Sequence, residues 1–465
     1  MMTTIYKNSP LFLNATCYKK PSPAFYRPLY FSSENSSNTT LMSLLDTFHI
    51  PHETISAFQK KFPTGSLNYN FAGDNVGPAN PNFLKIQALA LAIQHDTYQS
   101  IGPIYDKMRS DFRKAFTDKD DEPFLVFLAP TGTAANRLGL SPVLKSIDMI
   151  IASDVSHLYT REAGGYHSLN NASVYPLKNT KGKITSAQLA AQIEKFKSHR
   201  QDYYAGSSKP KVVSITQPTE YGTYYRDDEV KAIAKLCHDN KMLLQMDGSR
   251  LFYLPKALNK SLKRLTTDLG VDILFLGGSK NGMAMSEAIV FTKNYFENGK
   301  ILNLETNPKQ LFNHMRSYSK QSGTLVGQYP AAAAQYSLAL ENDYLINVAY
   351  TGVKRAKELE RVLLKIPNSR ILVPTETNLV LISLPENATK LIEQRYELKI
   401  FPGNDPEKPH NRLVRFMTNY STTPQQIDEL KTYLEEKRIL RKSLFYLPIE
   451  KELKSLALKV KKWGE

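Results

Sequence analysis

From about residue 68 the chain alternates two textures. Short apolar runs recur: "FLVFLAP" (Phe124–Pro130), "MIIAS" (Met149–Ser153), "KVVSITQ" (Lys211–Gln217), "MLLQMD" (Met242–Asp247) and "DILFLGG" (Asp272–Gly278). Each is too short for a typical helix and ends on a polar, Pro or Gly residue, so each reads as a buried strand. Between them lie longer stretches of helical period: "LKIQALALAIQ", "TAANRLGLSPVLKSI", "SAQLAAQIEKFK" and "DDEVKAIAKLCHDN". Strands that are apolar on both faces, separated by helices, predict a mostly parallel sheet with helices on both sides. Right-handed crossovers bring the C-terminal ends of such strands to one edge, where chemistry-bearing loops gather.

The texture changes at both ends. Residues 1–66 are rich in Ser, Asn, Thr, Tyr and Pro and hold little periodicity beyond "LMSLLDTFHI", so they read as a partly ordered extension. A long helix is expected over 345–366. Beyond it, "RILVPTETNLVLISLP", "ATKLIEQRYELKIFPG", "RLVRFMTNYS" and "TPQQIDELKTYLEEK" suggest a smaller α+β domain. The expected division is an extension at 1–66, a large α/β domain at 67–340, a small domain at 341–437 and a basic amphipathic tail at 438–465. In that tail Ile449, Leu453, Leu456, Val460 and Trp463 form one apolar stripe.

Charge alters this picture little. The net charge of +16 raises the question of nucleic acid. Much of the excess, however, sits between Lys437 and Glu465, with nine Lys/Arg against three Glu, and no nucleic-acid module is present. A nucleic-acid or membrane partner is therefore not expected, and a helix packing on protein is the simpler reading of the tail. Two cysteines, Cys17 and Cys237, make neither a disulfide framework nor a four-cysteine metal site. With no secretory-type leader and no run of about 20 apolar residues, a cytoplasmic protein is expected.

Several catalytic patterns fail. GxxxxGK[ST], a strand-following GxGxxG and HExxH are absent; "GGSKN" misses the nucleophile elbow because Asn281 stands at its last position. Four strand ends remain. After "FLVFLAP" comes Thr131-Gly132-Thr133, where helix-start N–H groups could hold an anion. His157 follows "MIIAS". Asp247 ends "MLLQMD", with Arg250 three residues on. Lys280 follows "DILFLGG" and is flanked by glycines. A partly desolvated lysine can act as a neutral amine. Beside an anion site, a flat histidine and a buried aspartate, it suits pyridoxal 5'-phosphate (PLP). Lys280 would form the Schiff base, Asp247 would keep the pyridine nitrogen protonated, His157 would lie on the ring, and Gly132 and Thr133 would hold the phosphate.

These motifs, in order, resemble the threonine aldolase family: "FAGDN" (Phe71–Asn75), "PTGTAAN" (Pro130–Asn136), "SHLYTREAGG" (Ser156–Gly165), "ITQPTEYGTYY" (Ile215–Tyr225), "MDGSRLF" (Met246–Phe252), "GGSKNGMAMSEAIVF" (Gly277–Phe291) and "RLVRFM" (Arg412–Met417). The resemblance implies the fold type I architecture of PLP-dependent transferases, an α/β class with a seven-stranded-type sheet and a smaller α+β domain. It implies cleavage of L-threonine or L-allo-threonine to glycine and an aldehyde by way of a substrate–cofactor Schiff base. Lys280, His157 and Glu220 would be catalytic. Arg250 would stand near cofactor and substrate, with Arg415 as the principal carboxylate clamp. A homo-oligomer, dimer or tetramer, is implied as well. This chain departs from the family pattern at Gly73, usually serine, at Gln245, often histidine, at Tyr98–Ile101 and near Tyr329-Pro330. The competing readings are β-elimination or transaldol transfer on the same scaffold, and a catalytically weakened binding protein.

Overall fold

The computed structural model describes residues 71–92, 102–166, 172–201 and 209–440, with the single positions 53 and 60. Apart from those two positions, the expected extension at 1–66 lies outside the described residues, as do the stretch Tyr98–Ile101 and the tail beyond 440.

Seven strands form one sheet: β1 (Leu125–Ala129), β2 (Asp148–Ser153), β3 (Ser173–Leu177), β4 (Lys209–Thr216), β5 (Leu243–Gly248), β6 (Ile273–Gly277) and β7 (Glu287–Phe291), in the order β1-β7-β6-β5-β4-β2-β3. The neighbours from β3 across to β6 are parallel, as the pattern predicts. β7 is antiparallel to both β6 and β1. The cause is chain length: only residues 278–286 join β6 to β7, too few for a crossover helix, so the chain must turn back on itself. Helices Gly132–Leu140, Ser186–Gln201 and Asp227–Asp239 provide crossovers elsewhere.

Alternation along each strand splits the core in two. Val126, Leu128, Leu244, Met246, Leu274 and Leu276 face one cluster. Phe127, Ala129, Leu243, Ile273 and Phe275 face the other. Both faces of the sheet are thus covered, and the C-terminal ends of β1, β2, β4, β5 and β6 share one edge.

A second sheet, β8 (Arg370–Ile371), β9 (Leu379–Pro385), β10 (Lys399–Asp405) and β11 (Lys408–Met417), is antiparallel with order β10-β11-β9-β8. Its core joins Val380, Ile382, Val414 and Phe416 to Leu359 of the helix Tyr344–Leu363 and Leu430 of the helix Pro424–Glu436. Phe71 belongs to this core. Its N–H donates to the Glu397 carbonyl at 3.0 Å, and its own carbonyl accepts from Met417 N at 2.8 Å. The residues that follow, 72–80, lead from the small sheet to the strand-end edge of the large one.

Candidate active site

Strand ends fix the site because two of them touch through backbone. A Cβ on Gly277 would lie 2.6 Å from Ser249 Cα and O, so only glycine lets the end of β6 close on the turn after β5. That approach sets Lys280, three residues on, across from Asp247. Asn281 holds the loop by donating to the Gly277 carbonyl at 2.8 Å and the Ser249 carbonyl at 3.2 Å, and Gly282, at φ +97°, turns the chain away. Tyr253 O–H donates to the Lys280 carbonyl at 3.2 Å. Burial holds the Lys280 amine below the usual lysine range; the neighbouring Arg250 pushes the same way, and Asp74, Asp247 and Glu287 oppose it.

Two adjoining clefts share Asn75, His157, Asp247, Ser249 and Lys280. The first, about 470 Å³, is bounded by Thr131, Gly132, Thr133, Phe275 and Ser279. Here Thr131 caps the helix Gly132–Leu140 by accepting from Ala134 N at 3.1 Å, which leaves first-turn N–H groups of Gly132 and Thr133 for another acceptor. A Cβ on Gly132 would come 3.1 Å from Phe275 Cζ, against the cleft wall. The second cleft, about 450 Å³, is bounded by Glu220, Tyr221, Arg250, Lys399, Phe401 and Arg415.

Asp247 is buried at the end of β5. Its Oδ1 accepts from Ser249 N at 3.0 Å, and its Oδ2 lies 3.3 Å from Asn136 Nδ2. The same Asn136 amide donates to Glu162 Oε1 at 3.0 Å, and Glu162 Oε1 lies 3.1 Å from His157 Nδ1. Gln245 Nε2 in turn donates to Asn136 Oδ1 at 3.0 Å, with Ser214 donating to Gln245 Oε1. A buried chain of hydrogen bonds therefore runs from Asp247 through Asn136 and Glu162 to His157, whose ring lines both clefts. Glu220 Oε1 accepts from His157 N at 2.8 Å and from Thr216 Oγ1 at 3.1 Å, while its Oε2 is shielded from solvent without a partner. Burial raises the Glu220 carboxyl above the usual range, and the Asp247 charge adds to it.

The structure brings Lys280, His157, Glu220, Gly132, Thr133, Asp247, Arg250 and Arg415 around these two clefts. It also shows what the arginines are doing. Arg250 makes a two-pronged pair with Asp74, at 2.6 and 3.2 Å, and both are buried. Arg415 donates from one terminal nitrogen to the Ala72 carbonyl at 3.1 Å, and its buried Nε has no partner. Arg250 is thus committed to an internal carboxylate, whereas Arg415 keeps donors for a ligand.

The beta-eliminating lyase profile matches residues 70–386, which contain the whole strand-end edge just described. The chain belongs to the beta-eliminating lyase family. Within that family it is 32% identical over 323 residues to the low specificity L-threonine aldolase of Pseudomonas aeruginosa, covering 69% of this chain and 84% of that one. The low specificity L-threonine aldolase of a Pseudomonas species is 31% identical over 321 residues, with the same coverage of 69% and 84%. In fold, this lyase-family chain is similar to the threonine aldolase of Leishmania major, with a TM-score of 0.68, 20% identity and coverage of 79% of this chain and 99% of that one. It shares the same architecture with an alanine–glyoxylate aminotransferase from Nostoc, with a TM-score of 0.54, 15% identity and coverage of 80% and 96%. The fold is that of the aminotransferases, as the motifs imply.

Strand-end reading missed Asp74, Asn136, Glu162 and Glu287 as site residues of this lyase-family protein. All four lie inside motifs quoted above, so the motifs flagged the segments without ranking the residues. Glu162 has no periodic signal, because the short helix His157–Thr160 ends before it. Glu287 opens β7 beneath the lysine loop and accepts from Gly278 N at 2.8 Å. Burial pushes its carboxyl up to about 7.

Proposed function

We propose that this protein is a PLP-dependent aldolase that cleaves threonine-like β-hydroxy-α-amino acids to glycine and an aldehyde. One observation carries the reading: a desolvated lysine at a glycine-framed strand end faces a buried aspartate across a cleft that begins at a helix N-terminus. The donor set fits the cofactor. Lys280 supplies the amine, Asp247 a fixed negative charge for the pyridinium, and Gly132 and Thr133 donors for the phosphate. PLP bound there would supply the electron sink for the pair left on Cα when the Cα–Cβ bond breaks.

The chain's own residues do the rest. Arg415, with its unpartnered Nε, holds the substrate α-carboxylate in the second cleft. Glu220 takes the β-hydroxyl proton; its Oε2 is free, and burial raises its carboxyl, which makes it a stronger base than an exposed glutamate. Glu162 holds the His157 ring through Nδ1, so its flat face stays toward the cofactor cleft. Asn136, bound to both Glu162 and Asp247, keeps the two carboxylates in fixed relation. The proposal extends to a cytoplasmic homo-oligomer of two or four copies, and to the domain division at 66/67, 340/341 and 437/438. No helix among the described residues is long and apolar enough to cross a membrane.

The test is reconstitution with PLP followed by borohydride fixation and peptide mass spectrometry. Wild type should show a visible absorbance band and fixed cofactor on Lys280, and should release glycine and acetaldehyde from L-threonine. Lys280→Ala should lose the band and the turnover while keeping its far-ultraviolet circular dichroism. Cofactor fixed to a different lysine would refute the site, and release of pyruvate and ammonia would replace aldol cleavage by elimination.

A further inference from the structure

The second cleft holds more positive charge than one amino-acid carboxylate needs. Lysine and arginine contribute Arg161, Arg250, Lys280, Lys399 and Arg415 to its wall, and the acids are Asp74, Glu220 and Asp247. Arg250 is neutralised by Asp74, Lys280 is reserved for the cofactor, and Asp247, which lines both clefts, is assigned to the cofactor as well. Arg415, Arg161 and Lys399 remain, against the one carboxylate of Glu220. Neither the Arg161 nor the Lys399 side chain has an anionic partner among the described residues.

The register of the small sheet sharpens this. Lys399 of β10 stands directly opposite Arg415 of β11 in an antiparallel pair, so the two side chains share a face, and both line the cleft. Like charges placed directly opposite across strands destabilise a sheet. Arg161, from the loop after β2, adds to the positive field felt by Arg415. Three cations from three separate segments therefore converge on one chamber that also contains Glu220 and Lys280. A substrate whose side chain is a methyl group gives this arrangement nothing to bind beyond its single carboxylate.

We infer that Lys399 and Arg161 form a subsite for a second anionic group, and that the preferred substrates are β-hydroxy amino acids with a carboxylate on Cβ, of which 3-hydroxyaspartate is the simplest. The inference rests on the aldolase reading above. In the step, the hydroxyl proton leaves to Glu220 and the Cα–Cβ bond breaks. Cβ departs as the aldehyde carbon of glyoxylate, and the electron pair stays on Cα, which takes up a proton to give glycine. No oxidant or further reactant is required.

The test compares kcat/KM of the holoenzyme for L-threo-3-hydroxyaspartate with that for its side-chain amide, 3-hydroxyasparagine of the same configuration. A parallel calorimetric titration compares L-aspartate with L-asparagine, which need not be cleaved. A preference of about tenfold for the acid is expected at low salt, shrinking as ionic strength rises. In the R161Q/K399Q double variant both acid-to-amide ratios should fall toward one. An acid-to-amide ratio of one or less in wild type, or a ratio unchanged in the double variant, overturns the subsite. If no β-hydroxy amino acid is cleaved, the aldolase reading fails on its own, and the L-aspartate to L-asparagine ratio still decides the inference.

Discussion

Replacing Asp74 by Asn removes the charge that faces Arg250 while keeping the shape of the side chain. Both residues are buried, at 5% and 7% exposure, and the pair is two-pronged, so neither water nor a flexible surface group can readily take over. Taking away one partner of a buried ion pair costs about 3–5 kcal/mol, because the remaining charge is left desolvated. Set against a typical total stability of about 5–15 kcal/mol, the loss is a large fraction. The pH dependence has a definite sign. Burial works to raise the Asp74 carboxyl, but Arg250 and Lys280 together hold it below the ordinary aspartate value of 3.8. Its contribution is therefore fully present above that value and is lost as pH falls through the lower folded-state value. Urea unfolding of wild type and Asp74→Asn, followed by circular dichroism at pH 7 and again in acid, measures both effects. The gap should be near its full size at neutral pH and should narrow in acid. The double variant Asp74→Leu/Arg250→Met should recover much of the loss, since no lone charge is left behind. A loss under about 1 kcal/mol at pH 7, or a double variant no better than the single one, would refute the idea that this pair is desolvated and mutually dependent.

Two further outcomes concern buried carboxylates of the site, Glu162 and Glu287. Glu162→Gln keeps the size of the side chain but removes the charge that accepts from both Asn136 and His157. Steady-state kinetics on L-threonine should show kcat down by roughly tenfold to hundredfold with KM little changed, less than the loss of a positioned acid–base group itself would cost, and a displaced pH profile; unchanged kcat and profile would free His157 from Glu162. For Glu287 the shift is upward, from 4.5 to about 7, through burial, with donors on Ser279 and Gly278 opposing it. The protonated form is favoured in the folded state, so its contribution is complete below 4.5 and is lost as pH rises through about 7. Glu287→Gln should therefore gain stability relative to wild type between pH 5 and pH 8, measured as the difference between their thermal midpoints; a flat difference counts against the buried acid.

The strands that were legible in the sequence are those whose two faces are both buried. β1, β2, β4, β5 and β6 present unbroken apolar runs because helices cover both sides of the sheet. β3 presents no such run. Its sequence "SVYPL" carries Pro176, which is tolerated because β3 is the sheet's edge, where a missing N–H breaks no ladder on the open side. The direction of β7 was equally hidden, since only the short span from Gly278 to Ser286 dictates the reversal. In the site, Lys280 and Asp247 stood out as polar residues ending apolar runs. Asp74 and Asn136 did not, because their partners Arg250 and Asp247 are 176 and 111 residues away in sequence. A contact at that separation leaves no local period or spacing to find.

Those distant contacts explain how the two sheets serve one site. The segment after Phe71 starts in the core of the small sheet, where Phe71 pairs with Glu397 and Met417. Within three residues it offers its Ala72 carbonyl to Arg415 and its Asp74 carboxylate to Arg250. The arginine proposed to grip substrate and the arginine beside the lysine are thus tied to the same short strap. Asp74, which pairs with Arg250, lies only two residues from the Ala72 carbonyl that steadies Arg415. Weakening the internal pair should consequently appear in substrate binding as well as in stability. A lysine set among glycines can have a rigid backbone and a free amine because Gly277 lies against Ser249. The carboxylate clamp has its backbone fixed by Lys399 on one side and Leu381 on the other, and the Ala72 carbonyl steadies its guanidinium.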